Sequence, residues 1–161
     1  MSDYASHNIL VLGASGLIGR TITDDLRARG FRVIGIARHF TPAQKMSAAD
    51  LELPVMSMDV AALTQLLRTH EADIVINCLG VLQDGPGSDT RAVHRDFVAR
   101  LLQAVRCSHR AIRLVHISIP GTDSEDRTAF STTKREAERL IAASGIAHAI
   151  LRPGFVIAPS A

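Results

Sequence analysis

Short apolar runs alternate along the chain with stretches in which apolar residues recur every three or four positions, the rhythm of strands exchanging with helices. The runs predict strands at 8–12, 31–37, 54–58, 73–78, 112–117 and 146–151. Continuous rather than alternating hydrophobicity marks strands covered on both faces, which points to a parallel sheet between helical layers. Leu17, Ile18, Ile22 and Leu26 form the apolar stripe of a first helix, with Arg20, Asp24, Asp25 and Arg27 on its wet side and Gly30 placed to end it. Residues 39–50 hold Thr41-Pro42 and little periodicity, so they predict a loop, with room for one helical turn near Ala43 to Met46. Ala61 to Thr69 suits a short helix. Ser88 to Cys107 suits a long one, with Ala92, Phe97, Leu101, Leu102 and Val105 on its apolar face. A last helix runs from Ser131 to Ser144 and is closed by Gly145. Right-handed crossovers between these strands give a three-layer, doubly wound α/β sheet of order 3-2-1-4-5-6.

Between the first strand and the first helix stands Gly13-Ala14-Ser15-Gly16-Leu17-Ile18-Gly19. Strand, glycine turn and helix in that order are what a dinucleotide diphosphate needs, so the fold class is Rossmann and the expected ligand a nicotinamide dinucleotide. Gly13 lets the chain turn tightly out of the strand, Gly16 keeps side-chain bulk away from the diphosphate, and Gly19 lets the helix approach the sheet. The anion then rests on the positive end of the helix. The spacing is G-x-x-G-x-x-G rather than G-x-G-x-x-G; a purely structural turn is the competing reading, and the strand-to-helix context weighs against it.

Arg38 ends the second strand about 20 residues beyond the glycines, where an acid would bind the ribose hydroxyls of NAD. A guanidinium there favours a 2′-phosphate, so NADP(H) is expected in preference to NAD(H); the alternative is a solvated arginine that touches nothing. Asp59-Val60 follows the third strand. Its carboxylate either accepts from the adenine amino group, with Val60 packed on the ring, or caps the helix that follows.

The totals set limits. A chain of 161 residues with 47% apolar and 21% charged residues fits one domain, 8–161, behind a flexible tail, 1–7. The net charge of +2 comes from scattered basic residues, which argues against a nucleic-acid partner. Cys78 and Cys107 lack metal-ligand spacing, so no metal is expected, and they read as small packing residues in a reduced compartment. No run reaches the roughly 18 apolar residues of a membrane span, and the first residues lack a signal peptide's apolar region, so a cytoplasmic location is expected.

Taken together, the glycine turn, Arg38, Asp59-Val60, Asn77-Cys78-Leu79-Gly80, Ser118, Lys134 and Arg152-Pro153-Gly154 resemble the short-chain dehydrogenase/reductase superfamily in its extended and atypical branches, over nearly the whole chain. With Gly80-Val81-Leu82-Gln83-Asp84-Gly85 added, the likeness is to epimerase-like atypical proteins related to the dehydrogenase-like accessory subunit of respiratory complex I. The resemblance implies that Asn77, Cys78, Leu79 and Gly80 pass along the ribose and diphosphate, that Pro153 and Gly154 line the nicotinamide end, and that Lys134 holds the nicotinamide ribose. It also implies a catalytic tyrosine four residues before that lysine, giving or taking the proton as hydride moves.

Here Phe130 stands at that place, and Phe has no proton to exchange. The hydroxyl that polarises a carbonyl falls on Ile119, with Ser118 one residue out of register. His94 aligns with a further family position and reads either as a substitute acid/base or as a packed, hydrogen-bonded histidine. Lys134 has its own plain reading, a wet helix lysine beside Arg135, Glu136 and Glu138. His116 carries no assigned function, and Asp123 to Arg127 reads as a solvent-facing loop. The chain ends where extended members continue into a substrate lobe, so it is expected to be the N-terminal part of a longer protein, with an exposed sheet edge that invites a homodimer or a protein partner. Two functions follow: a cofactor domain of an atypical oxidoreductase or epimerase-like enzyme, or a non-catalytic nucleotide module acting as redox sensor or structural subunit.

Overall fold

The computed structural model describes residues 6–44, 47–81, 84–86 and 89–157. Strands β1 (Asn8–Leu12), β2 (Arg32–Ala37), β3 (Leu51–Glu52), β4 (Ile74–Asn77), β5 (Arg113–Ile117) and β6 (His148–Leu151) form one sheet in the order β3-β2-β1-β4-β5-β6. Every pairing is parallel, as the sequence predicts. Helix α1 (Leu17–Ala28) connects β1 to β2, α2 (Val60–Thr69) leads into β4, α3 (Phe97–Ser108) into β5, and α4 (Ala129–Ala142) into β6. A wide π-turn over Ala92–Asp96 precedes α3.

Two cores form, one on each face of the sheet. Leu10, Leu12, Val75 and Leu114 point toward α2, α3 and α4 and pack with Leu63, Phe97, Leu101 and Ile141. Ile9, Val11, Val33 and Ala37 point the other way, where Ile22 and Leu26 of α1 and Phe40 cover them. Neighbours along β1 thus enter opposite cores, as the period of two along a strand requires. The outer edge of β6 carries Leu151 and is followed by Phe155 and Ile157, all exposed.

Three expectations are corrected. The third strand lies at Leu51–Glu52 rather than 54–58, and Val55–Ser57 forms a single 3-10 turn. Pro54 cannot donate to a ladder, so pairing ends after the Leu53 amide bonds the Ala37 carbonyl at 2.8 Å, and Val55 is buried from the turn instead. On α1, Gly19 and Thr23 are the buried positions and Leu17 is exposed, while Arg27 is drawn off the wet side by Asp50. Cys107 is exposed and fills no core. The tail before Ser6, Met46 and Ser88 lie outside the described residues.

Asp50 anchors the 39–50 loop to the sheet. Its buried carboxylate accepts from the Gly35 amide (3.0 Å) and the Ser47 amide (2.9 Å) and pairs with Arg27, which also donates to the Val33 carbonyl at 2.9 Å. Burial pushes the carboxyl upward, but Arg27 and the amides outweigh it and hold it below the usual range. A side chain on Gly35 would come within 2.6 Å of this carboxylate. The loop so fixed reaches back to the glycine turn, where Gln44 Nε2 donates to the Ser15 carbonyl at 2.7 Å.

Asp50→Ala is expected to cost about 3 kcal/mol, since it strands a half-buried guanidinium and a buried amide. Asp24→Ala, at an exposed pair with Arg20, should change stability by less than about 0.5 kcal/mol. Urea unfolding of both variants checks the contrast.

Candidate functional site

The glycine turn is closely packed. Gly13 has φ +84°, and a Cβ there would lie 3.2 Å from the Cys78 carbonyl group. A Cβ on Gly19 would lie 2.2 Å from the Gly13 carbonyl oxygen, so only hydrogen fits. Gly16 caps α1 in an extended conformation and offers no side chain to its first turn. The Gly16 amide bonds Gly13 and the Arg20 amide bonds Gly16, while the amides of Leu17, Ile18 and Gly19 find no acceptor among the described residues. Three bare donors at the positive end of a twelve-residue helix make a cradle that fits a diphosphate.

The other sequence-predicted residues follow the carboxyl ends of the strands. Arg38 comes directly after β2, exposed and without a bonded partner among the described residues. Asp59 is exposed and caps α2, its Oδ1 accepting from the Ala62 amide at 2.8 Å; Val60 begins that helix. The capping alternative is therefore realised in this structure. Asn77, Cys78, Leu79 and Gly80 run from the end of β4 past the glycine turn, with the Leu79 side chain against Gly13. Gly80 ends beside Lys134: a Cβ there would be 3.6 Å from Lys134 Nζ and 3.6 Å from His94 Nε2. Pro153 and Gly154 follow β6, with open space around Gly154.

Beneath this edge lies a buried polar layer facing α4. Lys134 is 5% exposed and donates to the Ile117 carbonyl at 2.9 Å. Burial pulls its ammonium down to about 8, with the Glu138 carboxylate acting the other way. His94 accepts from the Val81 amide at Nε2 (3.1 Å), and its Nδ1 meets Thr133 Oγ1 at 2.9 Å. Thr133 gives its own proton to the Ala129 carbonyl at 2.7 Å, so Nδ1 carries the ring proton and the imidazole is neutral. Burial first, then the Lys134 charge, lower His94 to about 4. Phe130 packs edge-on against this ring at 5.3 Å.

His116 pairs across the strands with Asn77, whose Nδ2 donates to His116 Nδ1 at 3.2 Å, and its buried Nε2 has no partner among the described residues. Burial, and then Lys134, pull it down to about 3. Ser118 is buried, and its hydroxyl makes no bond of good geometry, although it lies beside the Glu138 carboxylate and helps stabilise that charge. Cys78 is pushed up to about 12 by burial, so it is a thiol and no nucleophile.

The wet-face reading of Lys134, Arg135 and Glu138 is overturned, because all three are buried. Arg135 donates to the Ile119 and Pro120 carbonyls (3.1 and 2.6 Å) and to Asp126 and Glu138 (3.0 and 3.1 Å). Glu138 in turn takes both prongs of Arg152, at 3.0 and 2.6 Å. Burial opposes ionisation of Glu138, but Arg152 overrides it and the carboxyl falls to about 2. This network fixes Arg152, and with it the start of Pro153-Gly154. It also ties down the predicted solvent loop, through Asp126 on Arg135 and Asp123 on Arg139. Helix α4 starts two residues earlier than predicted, at a capping box made by Thr128 and Ser131, a signal present in the sequence.

A phosphate cradle after β1, a bridging loop after β4 and a buried lysine under it define the class: a Rossmann dinucleotide-binding domain. The sequence profile described as NAD(P)H-binding matches residues 13–160. The chain belongs to that NAD(P)H-binding family. It is 30% identical over 135 residues to a dTDP-6-deoxy-L-talose 4-dehydrogenase (NAD(P)(+)) from Kitasatospora kifunensis, covering 83% of this chain and 41% of that one. A 3-diazoavenalumate denitrifying reductase from a Streptomyces species is 29% identical over 176 residues, covering 94% and 57%. The fold matches that of Bordetella bronchiseptica WbmG in complex with NAD, with TM-score 0.76, 17% identity and 94% and 55% coverage. It also matches a Bacillus cereus UDP-glucuronic acid 4-epimerase in complex with NAD, with TM-score 0.73, 21% identity and 91% and 56% coverage. The chain spans about half the length of the curated relatives it matches. Among the described residues no helix is long and apolar enough to cross a membrane, and no group of three or more His, Cys, Asp or Glu could hold a metal.

Gly19→Ala should abolish dinucleotide binding, read by fluorescence titration, because its methyl meets backbone that cannot yield. A second outcome concerns pH. Both buried histidines take protons less readily folded than unfolded, so stability is full above the unfolded value of 6.5 and falls as pH drops toward about 4 and about 3. The urea midpoint should therefore decrease between about pH 7 and about pH 5, before the carboxylates contribute, and a constant midpoint would contradict neutral burial of these rings.

Proposed function

We propose that the chain is the NADP(H)-binding domain of an atypical oxidoreductase or epimerase-like enzyme of the short-chain dehydrogenase/reductase type. The observation that carries this reading is the pairing of three unbonded amides at the start of α1 with a buried Lys134 at the far end of the 77–80 loop. Leu17, Ile18 and Gly19 donate to the diphosphate, with Gly13, Ala14, Ser15 and Gly16 shaping the turn. Arg38, free at the end of β2, takes a 2′-phosphate; NADP(H) is preferred and NAD(H) tolerated. Asp59 and Val60 border the adenine, Asn77, Cys78, Leu79 and Gly80 follow the ribose and diphosphate, and Pro153 and Gly154 line the nicotinamide end. A bound nicotinamide supplies or accepts hydride. Lys134 holds its ribose, and the names of the two curated relatives, a dehydrogenase and a reductase, agree with hydride chemistry.

A second reading, a nucleotide module without turnover, is favoured by one specific feature. Phe130, which the resemblance aligns with the family's tyrosine, packs on a His94 whose two nitrogens are both engaged, so neither offers a proton to the cleft.

Titration of NADPH and NADH against wild type and Arg38→Ala separates the cofactor assignment from the rest. Loss of one charge-assisted contact should weaken NADPH about tenfold and leave NADH unchanged. Equal affinity of wild type for both cofactors contradicts the role given to Arg38. In the full-length protein, Phe130→Tyr should raise hydride transfer to a carbonyl acceptor if the enzyme reading holds, and leave it absent if the module reading holds.

A further inference from the structure

We propose that Glu52 is a specificity-determining residue at the adenosine end of the cleft, where its carboxylate accepts from the ribose hydroxyls of NAD(H) and opposes the 2′-phosphate of NADP(H). The inference rests on the cofactor reading above and deepens it, naming what sets the balance between the two cofactors. A dinucleotide fold that takes NAD places an acid at the end of its second strand, and this chain has Arg38 there instead. Sheet pairing brings an acid to the same level from one strand over. Ala37, the last residue of β2, stands opposite Glu52, the last residue of β3, and adjacent strands run about 4.8 Å apart.

The Glu52 side chain leans on the segment that leaves β2. Its Oε1 accepts from the Phe40 amide at 2.8 Å and lies 3.1 Å from His39 Nδ1, so the carboxylate is held against the two residues that follow Arg38. Oε2 has no hydrogen-bond partner among the described residues, and the side chain is 40% exposed. Asp50, two residues earlier, shows the contrast: its carboxylate is buried and spent on Arg27, Gly35 and Ser47, so it offers the cleft nothing. Holding the Phe40 amide asks only for an acceptor oxygen, which a glutamine also has; the negative charge is surplus to that tie.

The surplus charge acts on the ligand. A doubly charged phosphate gripped by Arg38 sits on the order of one Debye length, about 8 Å, from Glu52, close enough for repulsion to survive physiological salt. A 2′-hydroxyl in its place carries no charge and gains an acceptor. Arg38 and Glu52 thus pull in opposite directions, the first toward NADP(H) and the second toward NAD(H).

The test titrates NADPH and NADH by calorimetry into the full-length protein at one fixed pH, comparing wild type with Glu52→Gln and Glu52→Ala. Gln keeps an acceptor for the Phe40 amide and removes the charge, whereas Ala removes both. The two cofactors differ only at the 2′ position, so a general loosening of the loop weakens both, while loss of the charge moves their ratio.

In Glu52→Gln, NADPH affinity should rise about threefold and NADH affinity fall about threefold, and Glu52→Ala should shift the ratio the same way. In about 0.5 M salt the NADPH gain should shrink while the NADH loss persists. A ratio within about twofold of wild type, or one that falls, overturns the proposal, and equal weakening of both cofactors marks Glu52 as a loop tie only. Failure of the wild type to bind either cofactor contradicts the cofactor reading itself and takes this assignment with it.

Discussion

Helix α1 can begin where it does only because Gly19 has no side chain; one more carbon would sit 2.2 Å from the Gly13 carbonyl oxygen. That contact draws the helix onto the end of β1 and turns its first amides into the cleft with nothing to bond. Burying or capping those amides internally would gain stability, as Asp59 does for α2 and Thr128 for α4. At α1 the cap is a glycine. The chain forgoes a local hydrogen bond at a helix start that follows a central strand, and an anion is the partner that completes it.

The rest of the edge is organised around the same cleft. Toward the middle of the sheet the layer under α4 is apolar, built on Leu114, Val75 and Ile141; toward the strand ends it becomes polar, with Asn77, His116, Ser118, His94, Thr133, Lys134 and Glu138. Such groups are costly to bury, and most are satisfied in detail, each bond serving to hold a loop that borders the cleft. Glu138 and Arg135 hold the segments after β5 and β6, His94 holds the loop after β4, and Asp50 and Arg27 hold the loop after β2. The exceptions among these residues are His116 Nε2, on β5, and Ser118 Oγ, directly after it, neither of which has a hydrogen-bond partner among the described residues.

The fold was legible because its signals are local and redundant. Six apolar runs, a glycine turn and helical spacing agree on one topology, and Pro54 displaced only the weakest strand. The charged residues of α4 were not legible. Lys134-Arg135-Glu136-Ala137-Glu138 reads as a wet face, and only the meeting of α4 with the segments after β5 and β6 reveals that three of its charges are buried among partners distant in sequence. The same holds for Arg27, whose partner Asp50 lies 23 residues away, and for His94, whose partners come from two other elements. Periodicity reports a helix's own faces; it says nothing of what covers them. Thr128 and Ser131, by contrast, form a cap that can be read in the sequence, although the predicted start at Ser131 fell two residues late.

The most direct test is an amide NMR titration of the protein with NADPH. Large, saturable shifts should appear first at the Leu17, Ile18 and Gly19 amides, which have no acceptor among the described residues. Saturation with those three signals unmoved would mean that the dinucleotide binds elsewhere, and that the bare start of α1 is not its seat.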